Sequence, residues 1–372
     1  TPGERMSGMS ADAIMAWIAD TYLVALRQLE RPRPFILRYW GSQPEATVKM
    51  LEKTPYQGPV YLDIKFNGEH MYSSVKPHVL DPRWQQLARG RYRLLWHLRN
   101  DCLFILRWGD PDFVRETVKN MGGPDSAGFL EGSELDVPGV DRINKPEAAR
   151  TAEWKYKFEK HWFRFMLWGR LGHHVEEPDA AWRAQFEKRF GRAGGGTFEA
   201  MRQASKIVPL TTSYHWNYMN GDWYPEGSIG SWNTSYEQPR VNYRRAQMYH
   251  DIRTYVFNNT IDGGFQTPIE FIIRGPEAGV QTPLDVARQL EGYGRRALES
   301  IAQARPLVER GQGEFAATAA DMEAAGNLGI YYAEKLRGAV DLARLLFKAD
   351  PVAQQASLGH LNNSLAAWKK VV

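Results

Sequence analysis

The stretch from Pro59 to Ser74, PVYLDIKFNGEHMYSS, constrains the fold more than any other. Val60, Leu62, Ile64 and Phe66 alternate with Tyr61, Asp63, Lys65 and Asn67. Side chains on a strand point to opposite faces with period two. One face is therefore apolar, and the other carries an acid, a base and an amide. The strand runs into Gly68-Glu69-His70, a polar turn opened by a glycine. An apolar outer face with a charged inner face is what a barrel strand needs when its C-terminal end borders a reaction site. A surface strand with a solvated polar face shows the same alternation, so the neighbouring segments decide.

Those segments repeat the design. Phe35 to Trp40 reads as a strand, followed by a helix from Pro44 to Lys53. Asp81-Pro82 opens a short helix through Trp84 and Ala88, and Arg91 to Leu98 is the next strand. Asp110 caps a helix with Pro111 at its first position, where the missing N–H costs nothing. Ala127 to Glu131 is a fourth strand. Strands that alternate with helices imply a parallel sheet. A full eight-stranded barrel takes about 250 residues, and these units fill only the first 150. The expectation is an α/β fold: either a small open sheet, or the C-terminal half of a (β/α)8 barrel whose first half lies upstream of Thr1. A mainly α-helical domain follows.

In both architectures, active groups collect at the C-terminal ends of the strands. Those ends carry Arg38 and Trp40, then Asn67, Glu69 and His70, then His97, Arg99, Asn100 and Asp101, then Glu131 and Glu134. On the inner parity Asp63 and Lys65 can pair, and His97 and Arg99 can bridge to Asp63.

After Pro146 the character changes. Glu153 to Leu171 is a long aromatic-rich helix, and a stripe of rings at helical spacing reads as core. Ala180 to Phe190 and Phe198 to Val208 are further helices, with Gly194-Gly195-Gly196 as a loop between them. Thr211 to Trp232 is too irregular for a helix and reads as a structured loop. Its Tyr214, His215, Trp216 and Trp223 are candidates to close over the barrel mouth. Pro283 to Glu309, Gly313 to Lys348 and Asp350 to Lys369 read as a helical bundle. The expected division is 1–150 for the half-barrel, 151–275 for a helical domain with the aromatic loop, and 276–372 for the bundle.

Several classes are excluded on composition and spacing. The chain has 47 basic and 43 acidic residues, interspersed and without a Lys/Arg run, so no nucleic-acid partner is expected. No apolar run is long enough to span a membrane. A single cysteine, Cys102, rules out an intrachain disulfide. His173-His174 is adjacent rather than spaced for a metal, so no metal is expected. No Gly-rich strand–turn–helix supports a dinucleotide, and no cofactor is expected. No G-x-S-x-G elbow is present.

What remains is carboxylates (Asp63, Glu69, Asp101, Glu131, Glu134), cations (Arg38, Lys65, His97, Arg99, Arg107) and many aromatics. Paired carboxylates beside aromatic platforms describe glycoside hydrolysis. Glu69, Glu131 and Asp63 are the candidate catalytic acids. Arg38, Trp40, Lys65, Asn67, His70, His97, Arg99, Glu134, Tyr214, His215, Trp216 and Trp223 are the candidate substrate contacts. Several cations at one mouth suit a sugar bearing a carboxylate. A non-catalytic carbohydrate-binding or assembly subunit is the alternative, and a polysaccharide lyase is a third reading.

The runs PVYLDIKFNGEHMYSS, RYRLLWHLRND, FILRWGDPDFVRETVKNM, GFLEGSELDVPG, EKHWFRFMLWGRLG and YHWNYMNGDWYPEG together resemble the large α-glucuronidase-like glycoside hydrolases, in particular bacterial polysaccharide-degradation proteins of this type. The resemblance spans roughly residues 1 to 240 and, more weakly, the terminal bundle. It implies a barrel followed by a helical domain, with a first half-barrel and one carboxylate lying upstream of Thr1. A half-barrel exposes a sheet edge, so the expected partner is an N-terminal half-barrel fragment or a second copy in a homo-oligomer. Secretion or periplasmic location is implied by the resemblance alone.

Overall fold

The computed structural model describes residues 8–38, 43–67, 74–78, 82–88, 92–98, 106–131, 156–215, 252–258 and 260–371. Four parallel strands form one sheet in the order β1-β2-β3-β4. They are β1 (Phe35–Arg38), β2 (Val60–Lys65), β3 (Arg93–Leu98) and β4 (Ser126–Glu131). Sequence order and spatial order coincide, as in a (β/α) unit that steps one way around a barrel. The structure is a mixed α/β sheet followed by helices, consistent with part of a barrel.

The helices that step between strands start where the sequence places them. Ahead of β1, α1 (Ala11–Ile18) is capped by Ser10 and runs through a π-helical turn, Ala19–Leu23, into α2 (Val24–Arg27). Three more helices, α3 (Pro44–Lys53), α4 (Pro82–Ala88) and α5 (Pro111–Met121), each begin at a proline. The Asp110 carboxylate accepts from the Asp112 N–H, closing the N-terminus of α5.

The apolar parity of the strands faces these helices. Leu62, Ile64 and Phe66 on β2 and just past it, and Leu94, Trp96 and Leu98 on β3, are all buried. Trp96 donates its indole N–H to the Met121 carbonyl at the end of α5. The polar parity is also buried at its centre, at Asp63, Lys65, Asn67 and His97, although a solvated face was one expectation for it. Toward the sheet edges the inner face opens. Ile36 on β1 is 49% exposed and Leu130 on β4 is 41% exposed.

One bulge sets the register of the last strand. Leu94 pairs with Ser126, but Leu95 pairs with Gly128, so Ala127 is an extra residue. Gly128 has φ of 124°, a conformation that L side chains rarely adopt. From there Trp96 aligns with Phe129 and Leu98 with Glu131. A one-residue slip exchanges the two faces of a strand. The bulge therefore turns Phe129 and Glu131 to the helix side and Leu130 to the inner side.

The remaining helices are α6 (Lys157–Lys160), α7 (Trp162–His173), α8 (Asp179–Phe190), α9 (Gly194–Ala204), α10 (Ile207–Tyr214), α11 (Ile252–Val256), α12 (Pro268–Arg274), α13 (Pro283–Ala304), α14 (Gln312–Lys348) and α15 (Val352–Val371). The aromatic stripe forms core, as expected. Phe163 packs against Trp182, Phe186 and Phe198. Among the described rings of the stripe, Phe163 and Trp168 are buried, and Tyr156 and Phe158 lie exposed.

Two sequence expectations are corrected here. Gly194-Gly195-Gly196 opens α9 rather than forming a loop. There a Cβ on Gly194 would run into the backbone of Glu187 on α8, so the run of glycines lets two helices touch. Thr211 to Tyr214 belongs to α10, where Thr211 and Thr212 return their hydroxyl hydrogen bonds to carbonyls one turn back.

The segment joining β3 to α5 clasps the sheet to the helical region. Trp108 donates its indole N–H to the Ser205 carbonyl at 2.8 Å, and the Gly109 N–H donates to the Ser205 hydroxyl at 2.8 Å. A Cβ at Gly109 would collide with the Phe163 ring. The buried Arg107 guanidinium donates to Asp321 and to the Ala317 carbonyl on α14.

Candidate functional site

The inner face of the sheet carries the candidate site. Arg38 is level with Asp63 across β1 and β2, and Lys65 is level with His97 across β2 and β3. In a parallel sheet, paired residues point to the same side. Four of the predicted residues therefore share one face.

Asp63 and His97 are in contact. The imidazole Nδ1 lies 3.1 Å and 3.4 Å from the two carboxylate oxygens of Asp63. This is the internal bridge that the sequence allows. Asp63 can only accept when ionised, so His97 donates from Nδ1. Asn67 lies just past the C-terminal end of β2, two residues beyond Lys65. Its amide nitrogen donates to the Ser74 carbonyl at 3.1 Å and the Lys76 carbonyl at 2.8 Å. The returning chain is thereby tied over the strand end.

Glu131 does not join this group. The bulge at Ala127 places it on the helix-packed face, where its Oε1 lies 3.4 Å from Nε of Arg164 on α7. Burial pushes its carboxyl up to about 7, against the opposing pull of Arg164. A proton donor in that range is what glycoside hydrolysis asks of its acid. The position is different, because Asp63 and Glu131 point to opposite sides of the sheet.

Arg164 is the residue that sequence reasoning missed. It sits in an aromatic helix and is fully buried. The signal was its spacing: Arg164 stands four residues before Trp168 and seven before Leu171, both fully buried, so helical periodicity puts all three on one stripe.

Two predicted mouth residues are internal instead. Tyr214 is buried, donates its hydroxyl to the Gln266 carbonyl at 3.0 Å and meets Phe265 edge to face. Burial raises its phenol pKa well above the usual value. His215 is buried and stacks on Tyr255, with ring centroids 4.5 Å apart. Their apolar ring surfaces fill the core of the helical region rather than a substrate platform. Arg107, counted among the mouth cations, is committed to Asp321. Trp40, Glu69, His70, Arg99, Glu134, Trp216 and Trp223 lie outside the described residues, as do Asn100 and Asp101. Among the described residues no group of three or more His, Cys, Asp or Glu side chains could hold a metal. No helix among them is long and apolar enough to cross a membrane.

No family model matches the sequence. No curated protein matches it either. The fold does have a solved counterpart. The chain superposes on a GH138 enzyme described as targeting pectin rhamnogalacturonan II, with a TM-score of 0.70 at 17% sequence identity. The match covers 96% of this chain and 42% of the other, so this chain spans about two-fifths of that protein's length. The structural neighbour is thus a glycoside hydrolase, and what the two share is the fold.

Proposed function

We propose that the chain carries part of the catalytic barrel of a glycoside hydrolase acting on a uronic-acid-containing polysaccharide or oligosaccharide. The observation that carries this reading is the buried polar inner face. Asp63 is held by His97 at 3.1 Å, with Lys65 and Arg38 level with them at the C-terminal ends of parallel strands. Burying charged groups is costly unless they are paired or used. The fold shared with an enzyme of pectin breakdown supports the same class of substrate.

The reaction needs one carboxylic acid to protonate the leaving oxygen and a second carboxylate to attack or to activate water. Glu69, which follows β2 in the sequence, and Asp63, at the centre of the inner face, are the proposed pair within this chain. Glu131 would serve only if the reacting sugar were approached from the helix side. Lys65 and Arg38 would neutralise the sugar carboxylate, a role for which guanidinium and ammonium groups are suited. The α-glucuronidase type is the finer form of this proposal.

The exposed Ile36 and Leu130 on the inner face give the reading a structural consequence. A barrel wall continuing from β1 and β4 would cover them. An N-terminal half-barrel, on the same or another polypeptide, or a second copy of the chain would supply that wall. Secretion or periplasmic placement goes with a polymeric acidic substrate.

The test is to incubate the protein, alone and within any longer protein that contains it, with pectic and glucuronoxylan oligosaccharides. New reducing ends should appear and should be lost in Glu69→Gln and Asp63→Asn variants that still fold. Release that persists in both variants would refute the residue assignment. An unsaturated product absorbing in the ultraviolet would replace hydrolysis with elimination.

A further inference from the structure

Two buried acceptors lie at neighbouring strand ends, one on β3 and one just past β2. Asn67 Oδ1 and His97 Nε2 are each enclosed and have no hydrogen-bond partner among the described residues. Asn67 is 1% exposed and His97 is 9% exposed. The hydrogen bonds that each side chain makes elsewhere bear on the role of its enclosed atom. Asn67 points its NH2 at two carbonyl oxygens, which only the nitrogen can serve, so the other end is the oxygen. His97 donates a hydrogen bond from Nδ1 to Asp63, so in the neutral tautomer the lone pair stands at Nε2.

A buried acceptor left without a donor costs about 1–3 kcal/mol. Two together on one inner face mark a place where donors arrive from outside the fold. Among the described residues no group of three or more His, Cys, Asp or Glu side chains could hold a metal ion here. Hydroxyl groups are the donors that remain. They carry no charge and offer one proton each, and a sugar ring presents several at fixed spacing.

We propose that His97 Nε2 and Asn67 Oδ1 form an acceptor pair that reads ring hydroxyls of a bound pyranose, with the Asp63 carboxylate, in addition to the part in the reaction proposed for it above, setting the His97 tautomer. This rests on the carbohydrate reading above and divides the labour of that site. Lys65 and Arg38 take the carboxylate of the sugar, and His97 with Asn67 take its hydroxyls. The ligand class is then an acidic pyranose with free hydroxyls, rather than any anion.

The experiment is a binding cycle with D-glucuronate and D-galacturonate and their monodeoxy analogues, measured by calorimetry. Removing the hydroxyl that is read should weaken binding to the native protein roughly fivefold to tenfold, the worth of one neutral hydrogen bond. His97→Ala and Asn67→Ala should lose the same factor on the intact sugar and nothing further on the analogue. Nitrogen NMR of the unsubstituted protein gives a readout that does not depend on the variants folding. The imidazole should show a proton on Nδ1 and none on Nε2, and the Nε2 resonance should move when the sugar is added. Saturable binding with the same intact-to-deoxy ratio in native and variant proteins overturns the acceptor pair alone. So does an Nε2 resonance that sugar leaves unmoved, which would mean that water serves it. Absence of saturable binding to any sugar overturns the carbohydrate reading and this inference with it.

Discussion

Glu131 and Arg164 face each other across the joint between β4 and α7, with Oε1 3.4 Å from Nε and the guanidinium fully buried. The pair ties the last described strand of the sheet to the first long helix of the helical region. It exists because a one-residue bulge at Ala127 turns Glu131 away from the inner face.

The pair makes stability depend on pH. Burial raises the Glu131 carboxyl from 4.5 to about 7 in the folded chain. Between those values the folded state holds a proton that the unfolded state has released, so stability falls as pH rises. The stabilising contribution is complete below about 4.5 and is lost as pH climbs through 7, by at most about 3 kcal/mol at 1.36 kcal/mol per unit. Urea unfolding from pH 4.5 to 8 should show this decline, and Glu131→Gln should flatten it. An unchanged slope in the variant would place the titration elsewhere.

The clasp between sheet and helices depends on Arg107. Asp321 accepts from both its guanidinium and its backbone N–H. Asp321→Ala would take the carboxylate away from a buried cation that also donates to the Ala317 carbonyl on α14. The expected loss is about 3 kcal/mol, the lower part of the range for breaking a buried pair. Denaturant midpoints of the variant and the native protein measure it, and a change below about 1 kcal/mol would show that the clasp is dispensable.

Lys65 separates charge recognition from packing. Lys65→Met keeps most of the stem and removes the ammonium. Affinity for an acidic oligosaccharide should fall about tenfold or more, the worth of a charge-assisted hydrogen bond. Affinity for the carboxyl-reduced form of the same oligosaccharide should not change. Equal losses on both ligands would assign Lys65 to the fold.

Glycines in the helical bundle divide into two kinds. On α13, a Cβ at Gly294 would collide with the Gly326 carbonyl of α14, and one at Gly326 would lie 2.8 Å from Leu298. Gly294→Ala should cost about 1–3 kcal/mol by overpacking this crossing. Gly359 lies on the exposed side of α15, and a Cβ there would meet nothing within 4 Å. Gly359→Ala should stabilise by about 0.5–1 kcal/mol, because alanine surrenders less backbone freedom on folding. Thermal melts of the two variants should move in opposite directions.

The sequence by itself determined the local elements. Alternation marked Val60–Lys65 as a strand, a short apolar run with Arg93, Leu95 and His97 on one parity marked Arg93–Leu98, and prolines at first helical positions marked where α3, α4, α5 and α13 begin. These are short-range effects, in which each residue acts on the next few. The parallel order of the strands followed from the helices between them. The shared face of Asp63, Lys65 and His97 was legible for the same reason, since β2 and β3 pair without a break in register from Tyr61 to Lys65.

Only the tertiary structure decided which side Glu131 faces. A strand that contains Gly128 reads the same with or without a bulge, and the bulge becomes visible only when β4 is laid against β3. The fates of Arg164, Tyr214 and His215 were settled at the same level. An arginine amid aromatics and a tyrosine–histidine pair before a polar loop resemble surface groups until other elements cover them. Glu131 meets Arg164, Gln266 takes the Tyr214 hydroxyl, and Tyr255 stacks on His215. Those partners lie between 33 and 52 residues away in the chain, beyond the reach of any local pattern. Burial and pairing are properties of the assembled molecule, because desolvation depends on everything that surrounds a group.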